Sequence, residues 1–315
     1  MPNLQKSDSN FSLSNIASEI LAEVTFKPYD TRISRDRPAC FVFLIDQSGS
    51  MASNYGNNTS KTKADVVADY VNNAINELIN VCQKSDDKPI HYFDICVIGY
   101  GQNAEDAQIL WEGNLKGKTF VSPADLKENP TGNQGEIEIE RRTFKGVSMI
   151  KIPIPYWFSP LSESVTPMGA GIDLCTEILD DWVESHQNSF PPIVINITDG
   201  EQTDCENDDL IKKAYNLKHT KTLYGNTLLF NIHITDGEEN AVLFPTGLNE
   251  LPDNEQCQTL YSMSSNLPEM FSKRVTHEIK KTDLLANRQY VAMAYQASLN
   301  QFIKFLDIGT RTVNI

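Results

Sequence analysis

The chain has 315 residues, with 27 Lys+Arg against 42 Asp+Glu and a formal net charge of −15. That balance argues against sequence-independent nucleic-acid binding and docking on an anionic membrane, both of which need clustered Lys or Arg to meet phosphates. At 40% hydrophobic and 22% charged residues the composition is globular, and no run reaches the roughly 18–20 apolar residues that cross a bilayer.

The opening MPNLQKSDSNFSLSN lacks a basic start and an apolar stretch, so no cleaved secretory signal is expected. After a polar leader, CFVFLI (Cys40 to Ile45) is continuously apolar, the mark of a strand covered on both faces of a parallel sheet. Val67, Val71, Ala74, Leu78 and Val81 recur at spacings of three and four and predict one stripe of a helix. YFDICVI (Tyr92 to Ile98) is a second buried strand. Between Gly101 and Pro155 the pattern is less regular. The loop signal Asn129 to Gly135 and the alternating EIEIERRTF and VSMIKIPIP predict an inserted β-hairpin or flap. Thr166 reads as an N-cap with Pro167 at the first position of a helix carrying Ile172, Cys175, Ile178, Leu179 and Trp182 on one face. PPIVINIT (Pro191 to Thr198) and TLLFNIHI (Thr227 to Ile234) are two further buried strands, joined by a helix over Leu210 to Leu217. The tail reads as a last strand and helix. The six cysteines, Cys40, Cys82, Cys96, Cys175, Cys205 and Cys257, show no paired spacing and read as buried thiols in a reducing compartment.

Alternating strands and helix-length crossovers predict an α/β fold: a doubly wound, mostly parallel sheet with helices on both faces and one inserted hairpin. The expected division is an N-terminal extension 1–37, a main domain 38–274 containing the 101–155 insert, and a C-terminal strand and helix, 275–315, on the same domain. In such a sheet ligands bind beyond the carboxyl ends of the strands, near the point where strand order reverses. The residues found there are Asp46-Gln47-Ser48-Gly49-Ser50-Met51 after the first strand and Asp199-Gly200-Glu201 after the third. Thr166 stands at the start of the intervening helix. Two carboxylates and three hydroxyls make an oxygen donor set suited to a hard cation such as Mg²⁺. With so little ligand charge, the ion would keep its appetite for an anionic oxygen from outside.

These three segments, D-Q-S-G-S-M, T-P-M-G and T-D-G, resemble the metal-ion-dependent adhesion site of von Willebrand factor type A (VWA) domains. The family pattern DxSGS…T…DG is matched in order by Asp46, Ser48, Ser50, Thr166 and Asp199, over a stretch running roughly from Pro38 to Arg274. The resemblance implies a Rossmann-like VWA fold, with Ser48, Ser50 and Thr166 ligating the metal and Asp46 and Asp199 holding it directly or through water. It implies Mg²⁺, with Mn²⁺ or Ca²⁺ as alternatives, and a protein partner that offers an Asp or Glu. WFSPLSESVTPMGAGI, PPIVINITDGEQTD and FIKFLDIGTR are similar to stand-alone, intracellular bacterial members whose genes often neighbour protein kinases and phosphatases. A cytoplasmic binding module in a signalling or stress-response system, and not an enzyme, is the expectation.

Blander readings stand beside this one. Ser50 and Thr166 are also good helix caps, and Asp199-Gly200 a good turn. The acidic residues Glu201, Asp204, Glu206, Asp208 and Asp209 read as a solvated loop, and Asp236-Gly237-Glu238-Glu239 as a turn. Gly99-Tyr100-Gly101-Gln102-Asn103-Ala104 formally fits a dinucleotide loop, but Ala107 to Trp111 looks like a strand where a helix is needed. His233 is expected to be structural. The rival activity is a metal-dependent hydrolase such as a phosphatase, although Ser48 occupies the place where an aspartyl-phosphate mechanism wants its second acid. A third reading is a scaffold with a purely structural metal.

Overall fold

The computed structural model describes residues 27–311 apart from 56–59, 85–87, 104–105, 144–145, 164, 236–240, 281–287 and 298. Most of the N-terminal extension and the Asp236 to Glu239 segment lie outside the described residues.

In chain order the strands are β1 (Ala39–Asp46), β2 (Phe93–Asn103), β3 (Asp106–Ile109), β4 (Gln134–Thr143), β5 (Gly146–Pro155), β6 (Ile193–Thr198), β7 (Lys221–Thr222), β8 (Gly225–Asn226), β9 (Leu228–Ile234), β10 (Val242–Leu243) and β11 (Met293–Ala297). The α-helices are α1 (Lys63–Cys82), α2 (Pro123–Glu128), α3 (Met168–Ser185), α4 (Asn207–His219), α5 (Glu255–Met263), α6 (Glu269–Arg274) and α7 (Leu299–Arg311). Seven strands form one sheet in the order β10-β11-β9-β6-β1-β2-β3. The five in its middle are parallel, and the two edge strands, β3 and β10, run antiparallel to their neighbours.

Every residue of β1 is buried, because its side chains alternate between two apolar layers. Phe41, Phe43 and Ile45 share one core with Val67, Val71 and Ile75 of α1 and Phe305 of α7. Cys40, Val42 and Leu44 share the other with Ile172, Cys175 and Leu179 of α3 and Leu210 and Leu217 of α4. Helices therefore cover both faces, and the strand order reverses beside β1. Its crossover through α1 leads to β2 on one side, whereas the chain returns through α3 to place β6 on the other.

Two details of α1 and its surroundings differ from expectation. Val81 is 47% exposed, and the buried stripe ends at Cys82 instead. From Leu78, the step of four keeps to the inner face at 3.6 residues per turn and the step of three leaves it. The insert is also more than a flap. It begins with β3 on the edge of the main sheet, turns through α2, and then forms β4 and β5 as a separate antiparallel ribbon, in register from Gln134↔Pro155 to Thr143↔Gly146. Two buried polar side chains of α1 hold it. Asp69 accepts from Lys61 Nζ, from Tyr156 Oη at 2.5 Å and from Glu136 N at 3.2 Å. Asn72 donates to the Phe158 carbonyl at 3.1 Å and accepts from Trp157 N at 2.9 Å. At the other end of the chain, β11 lies within the sheet, parallel to β9.

Candidate metal centre

The carboxyl ends of β1 and β6 flank the place where strand order reverses, and the five expected residues meet there. Asp46, the last residue of β1, is fully buried. One carboxylate oxygen accepts from Ser48 N at 2.9 Å and the other from the Thr198 hydroxyl at 2.7 Å. The loop then curls into a 3₁₀ turn over Gly49–Ala52, which brings Ser48 Oγ within 3.0 Å of Ser50 Oγ. Ser50 Oγ donates to Asp199 Oδ1 at 2.6 Å, joining the β1 loop to the β6 loop. Thr166 arrives from the segment before α3. A β-carbon placed on Gly200 would sit 3.8 Å from Thr166 Oγ1 and 3.9 Å from Ser50 Oγ, so both hydroxyls border that glycine. Ser50 is exposed at the mouth of the cluster, while Ser48 and Thr166 are buried.

The capping readings fail for both hydroxyl segments. Ser50 lies inside the 3₁₀ turn rather than at its N-cap, and Ser48, which holds that position, makes no side-chain cap bond. The helix expected to start at Pro167 starts at Met168, with Pro167 at the N-cap position and no side-chain cap. Thr166 is therefore not the cap. Its backbone is clamped instead by Thr203: Thr166 N donates to Thr203 Oγ1 at 3.0 Å, and Thr203 N donates to Thr166 O at 2.9 Å. The free amides at the start of α3 are met from outside by Asp204, whose carboxylate accepts from Gly169 N at 3.2 Å and Ala170 N at 2.8 Å. Part of the acidic run read as a solvated loop is thus a structural brace that leaves the Thr166 hydroxyl unused by the helix.

The two glycines that mimic a dinucleotide loop have a different use. Gly101 adopts φ +119°, and a β-carbon there would lie 2.7 Å from Gln47 C and Ser48 N and 2.9 Å from Val165 O. At Gly99 it would lie 2.3 Å from Gln47 Oε1. The bare backbone of β2 is what lets the Gln47–Ser48 peptide pass over it. Between the glycines, Tyr100 Oη donates to Asn196 Oδ1 at 2.8 Å, and Asn196 Nδ2 donates to Asn231 Oδ1 at 3.0 Å. Asn231 Nδ2 then donates to Ser264 Oγ at 2.9 Å. This buried, satisfied chain ties the strands together below the cluster.

Electrostatically the cluster is a buried anionic site with a cation beside it. Burial raises the Asp46 carboxyl from its ordinary 3.8 to about 6, opposed by the bonds from Ser48 and Thr198 and reinforced by the charge of Asp199. The Asp199 side chain is fully buried, and its second oxygen pairs with Lys63 Nζ at 2.9 Å; the Lys63 side chain is 11% exposed. On the other side, burial lowers His233 from 6.5 to about 4, so it stays neutral and donates to the Asp199 backbone carbonyl. It stacks on Tyr295 with ring centroids 4.7 Å apart. Lys63 marks the place as one that accepts positive charge, and the neutral hydroxyls supply hard oxygen donors. The residues present fit a hard divalent cation. Among the described residues there is no group of three or more His, Cys, Asp or Glu side chains that could hold a metal, so the donor set here is two carboxylates plus hydroxyls.

A doubly wound α/β domain with an oxygen-rich cluster at its switch point is the class that fold and geometry define. No protein-family model matches the chain, and no curated protein matches it. Among solved structures it is similar to the von Willebrand factor type A from Catenulispora acidiphila, at 17% identity and a TM-score of 0.37, over 63% of this chain and 34% of that one. The chain thus spans about a third of that neighbour's length. No helix among the described residues is long and apolar enough to cross a membrane.

Proposed function

We propose that the chain is a Mg²⁺-dependent protein-binding module whose partner presents an acidic side chain. The observation that carries this reading is the convergence of Ser48, Ser50 and Thr166 with Asp46 and Asp199, hydroxyls and carboxylates from three distant segments at one end of the sheet. Ser48, Ser50, Thr166, Asp46 and Asp199 would hold the cation. When bound, the cation supplies an electrophilic position for an anionic oxygen and reverses the sign of an otherwise acidic surface. The chain's own residues do the rest. Thr198 and the Ser48 amide orient Asp46, Thr203 fixes Thr166, and exposed Ser50 leaves the mouth accessible. Mn²⁺ and Ca²⁺ are alternative occupants with the same oxygen chemistry.

The mode of action is recognition, not turnover, and a cytoplasmic bacterial signalling system containing a protein kinase or phosphatase is the setting we favour. Capture of partner from the source cell should need Mg²⁺ and fail in excess chelator. It should also fail in the Ser48→Ala/Ser50→Ala double variant, with the cooperative unfolding transition retained. Capture that survives both treatments would refute the reading. Mg²⁺-dependent hydrolysis of phosphoesters that is lost in Asp46→Asn would replace it with the hydrolase alternative.

A further inference from the structure

Lys63 brings a positive charge into the cluster and has no place in the expected ligand set. It is the first residue of α1, where the positive end of the helix dipole makes a cation unfavourable. Its backbone is locked there. The Thr62–Asp65 capping box closes with Asp65 N donating to Thr62 Oγ1 at 3.1 Å and Thr62 N donating to Asp65 Oδ2 at 2.9 Å. Lys63 N donates to the Ser53 carbonyl at 2.9 Å. From this fixed base the side chain reaches inward, away from most solvent, to the buried oxygen of Asp199. The other oxygen of the same carboxylate is the acceptor for Ser50.

We infer that Lys63 is a tethered counter-cation that competes with the divalent ion for Asp199 and sets the affinity of the site. This rests on the proposed function and concerns the regulation of that same centre. Without metal, the two carboxylates and Lys63 leave one net negative charge, and the ammonium keeps Asp199 compensated so that the Ser50–Asp199 bridge stays closed. A divalent ion entering beside the ammonium meets a like charge in a poorly screened place. Either the pair with Asp199 opens or the ion binds against that repulsion, and both weaken binding. With Lys63 retained, the loaded centre carries one net positive charge. An acidic side chain from a partner cancels it, so loading and partner binding favour one another.

The test is calorimetric titration of Mg²⁺ and Mn²⁺ into the full chain as wild type, Lys63→Met and Lys63→Arg, with the thermal midpoint of each read with and without metal. Lys63→Met should bind at least tenfold more tightly than wild type. Lys63→Arg, which keeps the charge, should stay within a few-fold of it. The metal-free midpoint of Lys63→Met should fall, because Asp199 loses its partner, and saturating Mg²⁺ should raise it by more than it raises the wild type. Lys63→Gln gives the same comparison if the methionine variant does not fold. Equal or weaker binding in a folded neutral variant, beside a wild type that binds, overturns the inference alone. Absence of binding in all variants refutes the cation site and the inference together.

Discussion

Replacing Gly101 by alanine tests how the loop that carries Ser48 is held. The structure offers an internal control, because Gly113 also has a positive φ, +58°, but nothing lies within 4 Å of the β-carbon it would gain. Gly113→Ala should therefore cost only the left-handed strain, about 1–2 kcal/mol. Gly101→Ala carries comparable or larger strain, about 1–3 kcal/mol at φ +119°. It also drives the new methyl to 2.7 Å from Gln47 C and Ser48 N and 2.9 Å from Val165 O. These are backbone atoms on both flanks, so no side-chain rotation relieves the clash, and overpacking adds about 1–3 kcal/mol. The sum, about 2–6 kcal/mol, rivals the stability of many whole domains. Urea unfolding of both variants, followed by circular dichroism, gives the comparison, and Mg²⁺ titration of any folded Gly101→Ala shows whether the Ser48 loop has moved. A Gly101→Ala variant within about 0.5 kcal/mol of Gly113→Ala would refute the clearance argument.

His233 and Asp46 pull the pH dependence of the metal-free chain in opposite directions. His233 is depressed to about 4, so the unfolded chain takes up its proton first and stability falls as pH drops from about 6.5 to about 4, by about 3 kcal/mol. Asp46 is raised to about 6, so the folded chain keeps a proton the unfolded chain releases; stability falls as pH rises from about 4 to about 6, by about 3 kcal/mol. His233→Gln should consequently gain stability relative to wild type as pH falls from about 6 to about 4; parallel profiles in chelator would contradict the assignment. Asp69→Ala removes the acceptor for Lys61, Tyr156 and Glu136 and should cost about 2–4 kcal/mol, with faster hydrogen exchange in β4 and β5 than in β1. Uniform exchange across the sheet and the ribbon would show that Asp69 does not anchor the insert.

Much of this architecture is legible in the amino-acid order because buried parallel strands leave an unbroken apolar signature. The segments around Cys40, Phe93, Ile193 and Leu228 are such strands, and their ends locate Asp46 and Asp199. What stays hidden depends on contacts between distant residues. No local pattern couples Lys63 to Asp199, or Asp204 to the amides of Gly169 and Ala170. Thr166 looks like a cap because Thr-Pro before an apolar stripe normally is one; Asp204 takes over that work and the helix starts later. Gly99 and Gly101 fit a dinucleotide loop only formally, and their lack of side chains serves the neighbouring strand's loop, which no local pattern announces. The six-residue α2 and α6 are too short to establish a hydrophobic period, whereas the strand and helix expected in the tail are found as β11 and α7.

Crystals of the chain soaked in Mn²⁺ and measured at the manganese edge test the central claim most directly. The account predicts an anomalous peak bordered by Ser48 Oγ, Ser50 Oγ and Thr166 Oγ1. Saturating Mn²⁺ with no peak there, or a peak only on the exposed acidic loops, would contradict it.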